Sequence, residues 1–199
     1  MKRDCTLVIL ITVCVLAIVI TQTPLTGMVS GLLPSLVILV SALVIFRRKL
    51  SVGSVILAVI LSFFALPLAI YILVSVGGML LMNIVPLWLN GVLSYILQAT
   101  VSLLVFALVC RILHRGRIRG IRGIHVLIAG ALALASAVLD EASYGFASEL
   151  PEPSLMEMLD YFTRQNPFLA LLSQIAFYSA LFFMGYVMWH NVHGENTKT

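Results

Sequence analysis

Residues 52–74 read VGSVILAVILSFFALPLAIYILV, an unbroken run of apolar and small residues without a single charge. A helix rises 1.5 Å per residue, so about 20 such residues cross the roughly 30 Å hydrocarbon core of a bilayer. The run is too continuous for the alternating strands of a membrane barrel. An open sheet edge cannot face lipid, because its backbone groups would go unpaired. Val52 to Val74 therefore reads as a membrane-spanning helix, entered from the basic cluster Arg47-Arg48-Lys49.

Similar runs lie on both sides. Thr6 to Gln22 and Val29 to Phe46 precede it, and Gly91 to Cys110, Ile124 to Leu139 and Phe168 to Trp189 follow. The expected fold is all-α: a polytopic transmembrane helical bundle with six spans, forming one integral membrane domain over 1–199. Composition agrees. Apolar residues make up 61% of the chain and charged residues 10%, against roughly 25% charged in a soluble domain. Six spans with short loops leave no room for a separate soluble domain.

Charge orients the bundle. Lys2 and Arg3, then Arg47, Arg48 and Lys49, then Arg111, Arg115, Arg117, Arg119 and Arg122 fall in alternate loops. The stretches Thr23–Gly27 and Gly77–Asn90 carry no charge. The third intervening loop holds Glu149, Glu152, Glu157 and Asp160, with Arg164 their only opposing cation. Basic residues favour the cytoplasmic side, so both termini are expected inside. The net charge of +4 thus reads as topology, with the arginine tract also meeting anionic lipid. No aromatic residues interleave the arginines to stack bases, so nucleic acid is not an expected partner. The N-terminal run resembles a signal peptide but lacks a small-x-small cleavage site, so the first helix is expected to stay attached.

Three stretches are irregular. Gly77-Gly78 is expected to open an apolar outer loop that lies along or dips into the membrane. Residues 154–165 are expected to form a short amphipathic surface helix. Ser154 and Glu157 have capping-box spacing, and Leu155, Met158, Leu159 and Phe162 form one apolar stripe. Glycines 116, 120 and 123 argue against a long helix after Arg111. Pro67 should kink its helix and free a carbonyl near Phe63.

Few residues suggest chemistry. Asp140 and Glu141 end the fifth span; they read as a polar stop, or as a cation or acid/base site, with Arg164 as the expected partner. Gln98 and Gln174 are polar side chains within spans; they read as interhelical hydrogen-bonding groups or as the lining of a ligand site. His190 and His193 have His-x-x-His spacing, a weak metal candidate because a third ligand is needed. Glu195, His125 and His114 are the nearest others. Ala129, Ala133 and Ala137, with Gly130 and Ser136, form a small-residue packing face, within the chain or between chains. Cys5, Cys14 and Cys110 form no CxxC pair and read as packing residues. No cofactor is expected.

The sequence has no Gly-rich phosphate loop with Lys, no Gly-x-Ser-x-Gly and no His-Glu-x-x-His, so the reading leans away from an enzyme. No charged residue falls at mid-membrane, which argues against a proton-coupled pump. Three functions stay open. The first is a non-enzymatic accessory or scaffold subunit, with other membrane subunits or its own copies as partners. The second is a small-solute transporter or substrate-binding component. In size and topology alone the chain resembles the vitamin-capturing components of energy-coupling transporters, whose Ala-x-x-x-Ala feature the first helix lacks. The third is a membrane-embedded lipid-modifying enzyme using Asp140 or Glu141. Compact loops lean towards a cell membrane of the prokaryotic inner type.

Overall fold

The computed structural model describes residues 2–22, 32–47, 50–81, 84–114, 121–146 and 165–194. Every regular element among them is helical. In chain order they are α1 (Lys2–Thr21), α2 (Leu33–Phe46), α3 (Val52–Ile60), a π-helical turn (Leu61–Ala65), α4 (Leu66–Leu81), α5 (Leu87–His114), α6 (Gly123–Ser143) and α7 (Pro167–Gly194). The segment from α3 to α4 is continuous.

Four helical stretches are long and apolar enough to cross a membrane: Val52–Leu73, Trp88–His114, Gly123–Ser143 and Pro167–Asn191. The apolar parts of the first two helices, Cys5–Thr21 and Leu33–Phe46, are shorter. At 14 residues, α2 rises only about 21 Å.

Local chemistry explains where the helices begin. Pro34 sits in the first turn of α2, where its missing N–H costs nothing. Ser51 caps α3: its Oγ accepts from the Ser54 N–H at 3.4 Å, while Ser54 Oγ accepts from the Ser51 N–H at 3.2 Å. This is a capping box built from two serines. At the start of α6 the Arg122 N–H donates to His125 Nδ1 at 3.1 Å.

One expectation about the elements needs correction. The outer stretch Gly77–Asn90 is not a long loop: α4 continues through Gly77-Gly78 to Leu81, and α5 begins at Leu87. Glycine weakens a helix by about 1 kcal/mol. An unpaired backbone in lipid costs several, so the helix persists. The helices α5 and α7, Leu87–His114 and Pro167–Gly194, contain the expected spans 91–110 and 168–189. At Pro67 the distortion takes a definite form. The turn before it widens into a π-turn, in which the Leu66 N–H reaches the Leu61 carbonyl.

α2, α5 and α7 form the centre of the bundle. α1 packs on α2 and α7, α4 on α5, and α6 on both α5 and α7. Leu10, Ile38, Phe46, Phe106, Cys110, Leu113, Tyr178 and Met188 are buried between them. The outward faces are apolar too: Val8, Val15, Leu104, Leu127, Leu134 and Tyr71 are exposed. Such surface suits lipid and not water. Cys14 and Cys110 are buried as packing residues, whereas Cys5 is exposed.

The alanine face of α6 is now placed. Ala129, Ala133, Ser136 and Ala137 are all buried, and α6 makes its most extensive packing with α7. The small residues serve a contact inside the chain.

Candidate functional site

Polar groups converge where α5 and α7 begin and α6 ends. The base of this region is a reciprocal serine pair. Ser136 Oγ donates to the Ser173 carbonyl at 2.8 Å, and Ser173 Oγ donates to the Ser136 carbonyl at 2.9 Å. Both side chains are fully buried. Only small residues let two backbones come this close. The Tyr95 hydroxyl of α5 approaches Ser173 Oγ at 3.4 Å. Ser136 and Gln174 also lie within hydrogen-bonding reach of that hydroxyl, and Asp140 lies within its electrostatic reach. The Tyr95 ring is held edge-on to Phe177, with centroids 6.3 Å apart.

The end of α6 is closed by a Schellman cap. The Phe146 N–H donates to the Glu141 carbonyl at 3.3 Å and the Gly145 N–H to the Ala142 carbonyl at 3.0 Å. Gly145 takes φ +75°, which this cap requires. Phe146 also adopts positive φ, 50°. Its ring meets Trp88 of α5 edge-on, 6.1 Å between centroids. The start of α7 is stitched to the same corner. The Asn166 N–H donates to the Ser143 carbonyl at 2.8 Å. Asn166 Oδ1 caps α7 by accepting from the N–H groups of Phe168 and Leu169, at 3.0 and 3.3 Å. Gln165 Nε2 donates to Ser143 Oγ at 3.1 Å.

Glu141 lies inside this frame. It is 9% exposed, so its side chain is turned into the bundle. Its carboxylate lies directly against Gly91, where any Cβ would collide with it. Gly91 belongs to the second turn of α5, so the carboxylate lies against the flank of that helix near its start. The C-terminus of α6 opposes the same charge. Asp140 is half-buried and electrostatically coupled to Glu141. Adjacent helical residues point about 100° apart, yet both carboxylates interact on the α5 side, one with Gly91 and one towards Tyr95.

The structure therefore places Asp140 and Gln174 about Tyr95, with Glu141 next to Asp140 and against Gly91. Gln98 is half-buried on α5; its backbone carbonyl accepts from Ser102 Oγ at 2.9 Å. Arg164 and the stretch 154–164 lie outside the described residues, so the expected Arg164 contact and surface helix do too. Arg115, Arg117 and Arg119 also lie outside them, while Arg111 and Arg122 are exposed.

At the opposite end of the helices, His190 is exposed and stacks on Tyr186, 6.2 Å away. The His193 side chain lies outside the described residues. His114 packs against Phe46 at 5.6 Å, and His125 Nδ1 already serves the α6 cap. Among the described residues no three His, Cys, Asp or Glu side chains are grouped to hold a metal ion. Trp189 is turned into the bundle and buried.

Tyr95, Ser173, Gly91, Trp88 and Phe146 were not foreseen as site residues. Ser136 was marked only as part of the small-residue face. A tyrosine or a glycine in an apolar run has no motif, and its role exists only once another helix is beside it. Chemically, the corner offers two carboxylates, a phenol and an amide. It does not offer an activated nucleophile, because both serine protons go to backbone carbonyls. Comparison of the chain with protein-family models, with curated proteins and with solved structures returns no match, so its function is argued from its own residues.

Proposed function

We propose that the chain is a six-span membrane protein with both ends inside, acting without catalysis as an accessory or scaffold subunit. The observation that carries this reading is the reciprocal Ser136–Ser173 pair. It uses polar groups within the bundle to lock α6 to α7, as a structural frame does, and leaves their hydroxyls unsuited to attack a substrate. The apolar outward faces supply contact area for lipid and for neighbouring membrane proteins or further copies. Arg111, Arg115, Arg117, Arg119 and Arg122 meet anionic headgroups on the inner side, each contributing about 1 kcal/mol. The compact loops favour the cell membrane of a prokaryote. The test is affinity purification from native membrane with mass spectrometry of what accompanies the chain. A membrane protein recovered in fixed ratio, or a defined homo-oligomer, is the expected result. A monomer carrying only a small molecule would overturn the scaffold reading.

One observation favours a second reading, a substrate-binding membrane component. Asp140 of α6 and Gln174 of α7 approach Tyr95 of α5, and Glu141 stands next to Asp140, which a simple polar stop does not require. A lipid-modifying enzyme draws no comparable support from the serines.

A further inference from the structure

The start of α6 depends on one protonation state of one side chain. The Arg122 N–H donates to His125 Nδ1 at 3.1 Å. His125 stands three residues after the N-cap Arg122, the place that glutamate or glutamine takes in a capping box. Those side chains accept through oxygen. An imidazole accepts only through a ring nitrogen that carries no proton, and a protonated imidazole is a donor at both nitrogens. On protonation, two donors would face each other across the same 3.1 Å. The added charge would also stand in the first turn of a helix, where the free N–H groups already form the positive end of the dipole. The first turn of α6 has no acidic residue to offset it.

The surroundings hold the ring without relieving this conflict. His125 is half-buried, so a proton can reach it from water. Phe183 of α7 stands against it, with ring centroids 6.1 Å apart and planes inclined at 62°. α6 packs on α5 and α7. The described titratable groups at this end of those helices are Cys110, Arg111 and His114 on α5, and Tyr186 and His190 on α7. No carboxylate is among them. His114 packs against Phe46 and His190 against Tyr186. We propose that His125 is a pH-sensitive cap: neutral, it holds the start of α6, and protonated, it releases it. Imidazole is the side chain whose charge ordinarily changes between about pH 5 and 8. Arg122 is the last residue of the arginine tract, so the cap couples pH on that side of the membrane to how firmly this arginine is held. With both ends inside, that side is the cytoplasm; this assignment rests on the six-span reading, and the cap itself does not.

The test uses the full chain in phosphatidylcholine nanodiscs. Exchange of the Arg122 amide proton with water is followed by NMR from about pH 8 to about pH 5, relative to the intrinsic rate of an unprotected amide at each pH. The wild type is compared with His125→Gln and His125→Ala. Glutamine accepts through its amide oxygen and gains no proton in this range, so its Arg122 amide should stay protected throughout. Alanine offers no acceptor, so protection should be absent at every pH. The wild type should match His125→Gln at the alkaline end and His125→Ala at the acid end, a loss of about fivefold for a cap of ordinary strength. The nitrogen shift of His125 Nδ1 should pass from the unprotonated to the protonated value over the same interval. Wild-type protection that does not change with pH overturns the proposal. An equal loss in His125→Gln also overturns it, because the titrating group is then another residue. Full protection in His125→Ala does so too, because the hydrogen bond is then not what holds the amide.

Discussion

Ser136 and Ser173 exchange hydrogen bonds through each other's backbone carbonyls, so each contact joins one side chain to the other helix. Interhelical hydrogen bonds in membranes contribute about 0.6 kcal/mol on average and up to about 1.7. Ser136→Ala and Ser173→Ala should each lower stability by about that much, and the double variant should cost less than the sum. Unfolding of the four proteins in one detergent checks this; strict additivity would mean that the hydroxyls act separately. Gly145 makes a different demand. At φ +75° a Cβ is disfavoured, so Gly145→Ala should destabilise the α6 cap by about 1 kcal/mol. The same measurement applies, and an unchanged melting temperature would show that the Schellman turn is not needed. Of these residues, Ser136 was visible beforehand as one of a stripe of small side chains. Gly145 and Gly91 were not, because a glycine's role depends on what approaches it.

Among the elements, the π-turn before Pro67 sets how the continuous helix from α3 to α4 faces the bundle. Pro67 has no N–H to return to the carbonyl of Phe63, and its ring presses on that carbonyl. The wider turn absorbs one extra residue. In an unbroken α-helix Ala58 and Leu66, eight residues apart, would be about 80° out of line; with one residue absorbed they fall within about 20°. Ala58, Ser62 and Leu66 are the buried residues of this stretch. Deleting the exposed Phe64 together with Pro67→Ala should therefore restore a plain α-helix with the same buried face, and unfolding should shift by only a few degrees. Deleting Leu104, equally exposed but in the regular α5, should abolish folding. It rotates Phe106, Val109, Cys110 and Leu113 away from the core by about 100°. Equal tolerance of both deletions would contradict this account. The proline was readable in the sequence; the form of the distortion was not, because it is chosen by which residues must remain buried. The helices themselves were legible from apolar runs, and their ends less so. Gly77-Gly78 has the composition of a loop, yet lies within α4 because lipid punishes unpaired backbone.

For the whole molecule, four helices have the length and composition to cross the bilayer, while α1 and α2 are shorter. Alternation of charge between loops is what argues for six crossings with both ends inside. The two alternatives place one stretch on opposite sides. With six spans, residues 23–27 lie outside; if α1 and α2 do not cross, they lie inside with Leu50. The approach of Asp140 and Gln174 to Tyr95 was only partly legible for a related reason: loop charge locates a helix end in depth, not the helix that will stand beside it. The decisive measurement is labelling of Thr26→Cys, in a chain whose three cysteines are replaced by alanine, with a membrane-impermeant maleimide. Six spans predict labelling of intact cells at Thr26→Cys, while Leu50→Cys in the same background labels only after permeabilisation. Labelling of both positions only after permeabilisation would contradict the six-span account and leave a four-span bundle.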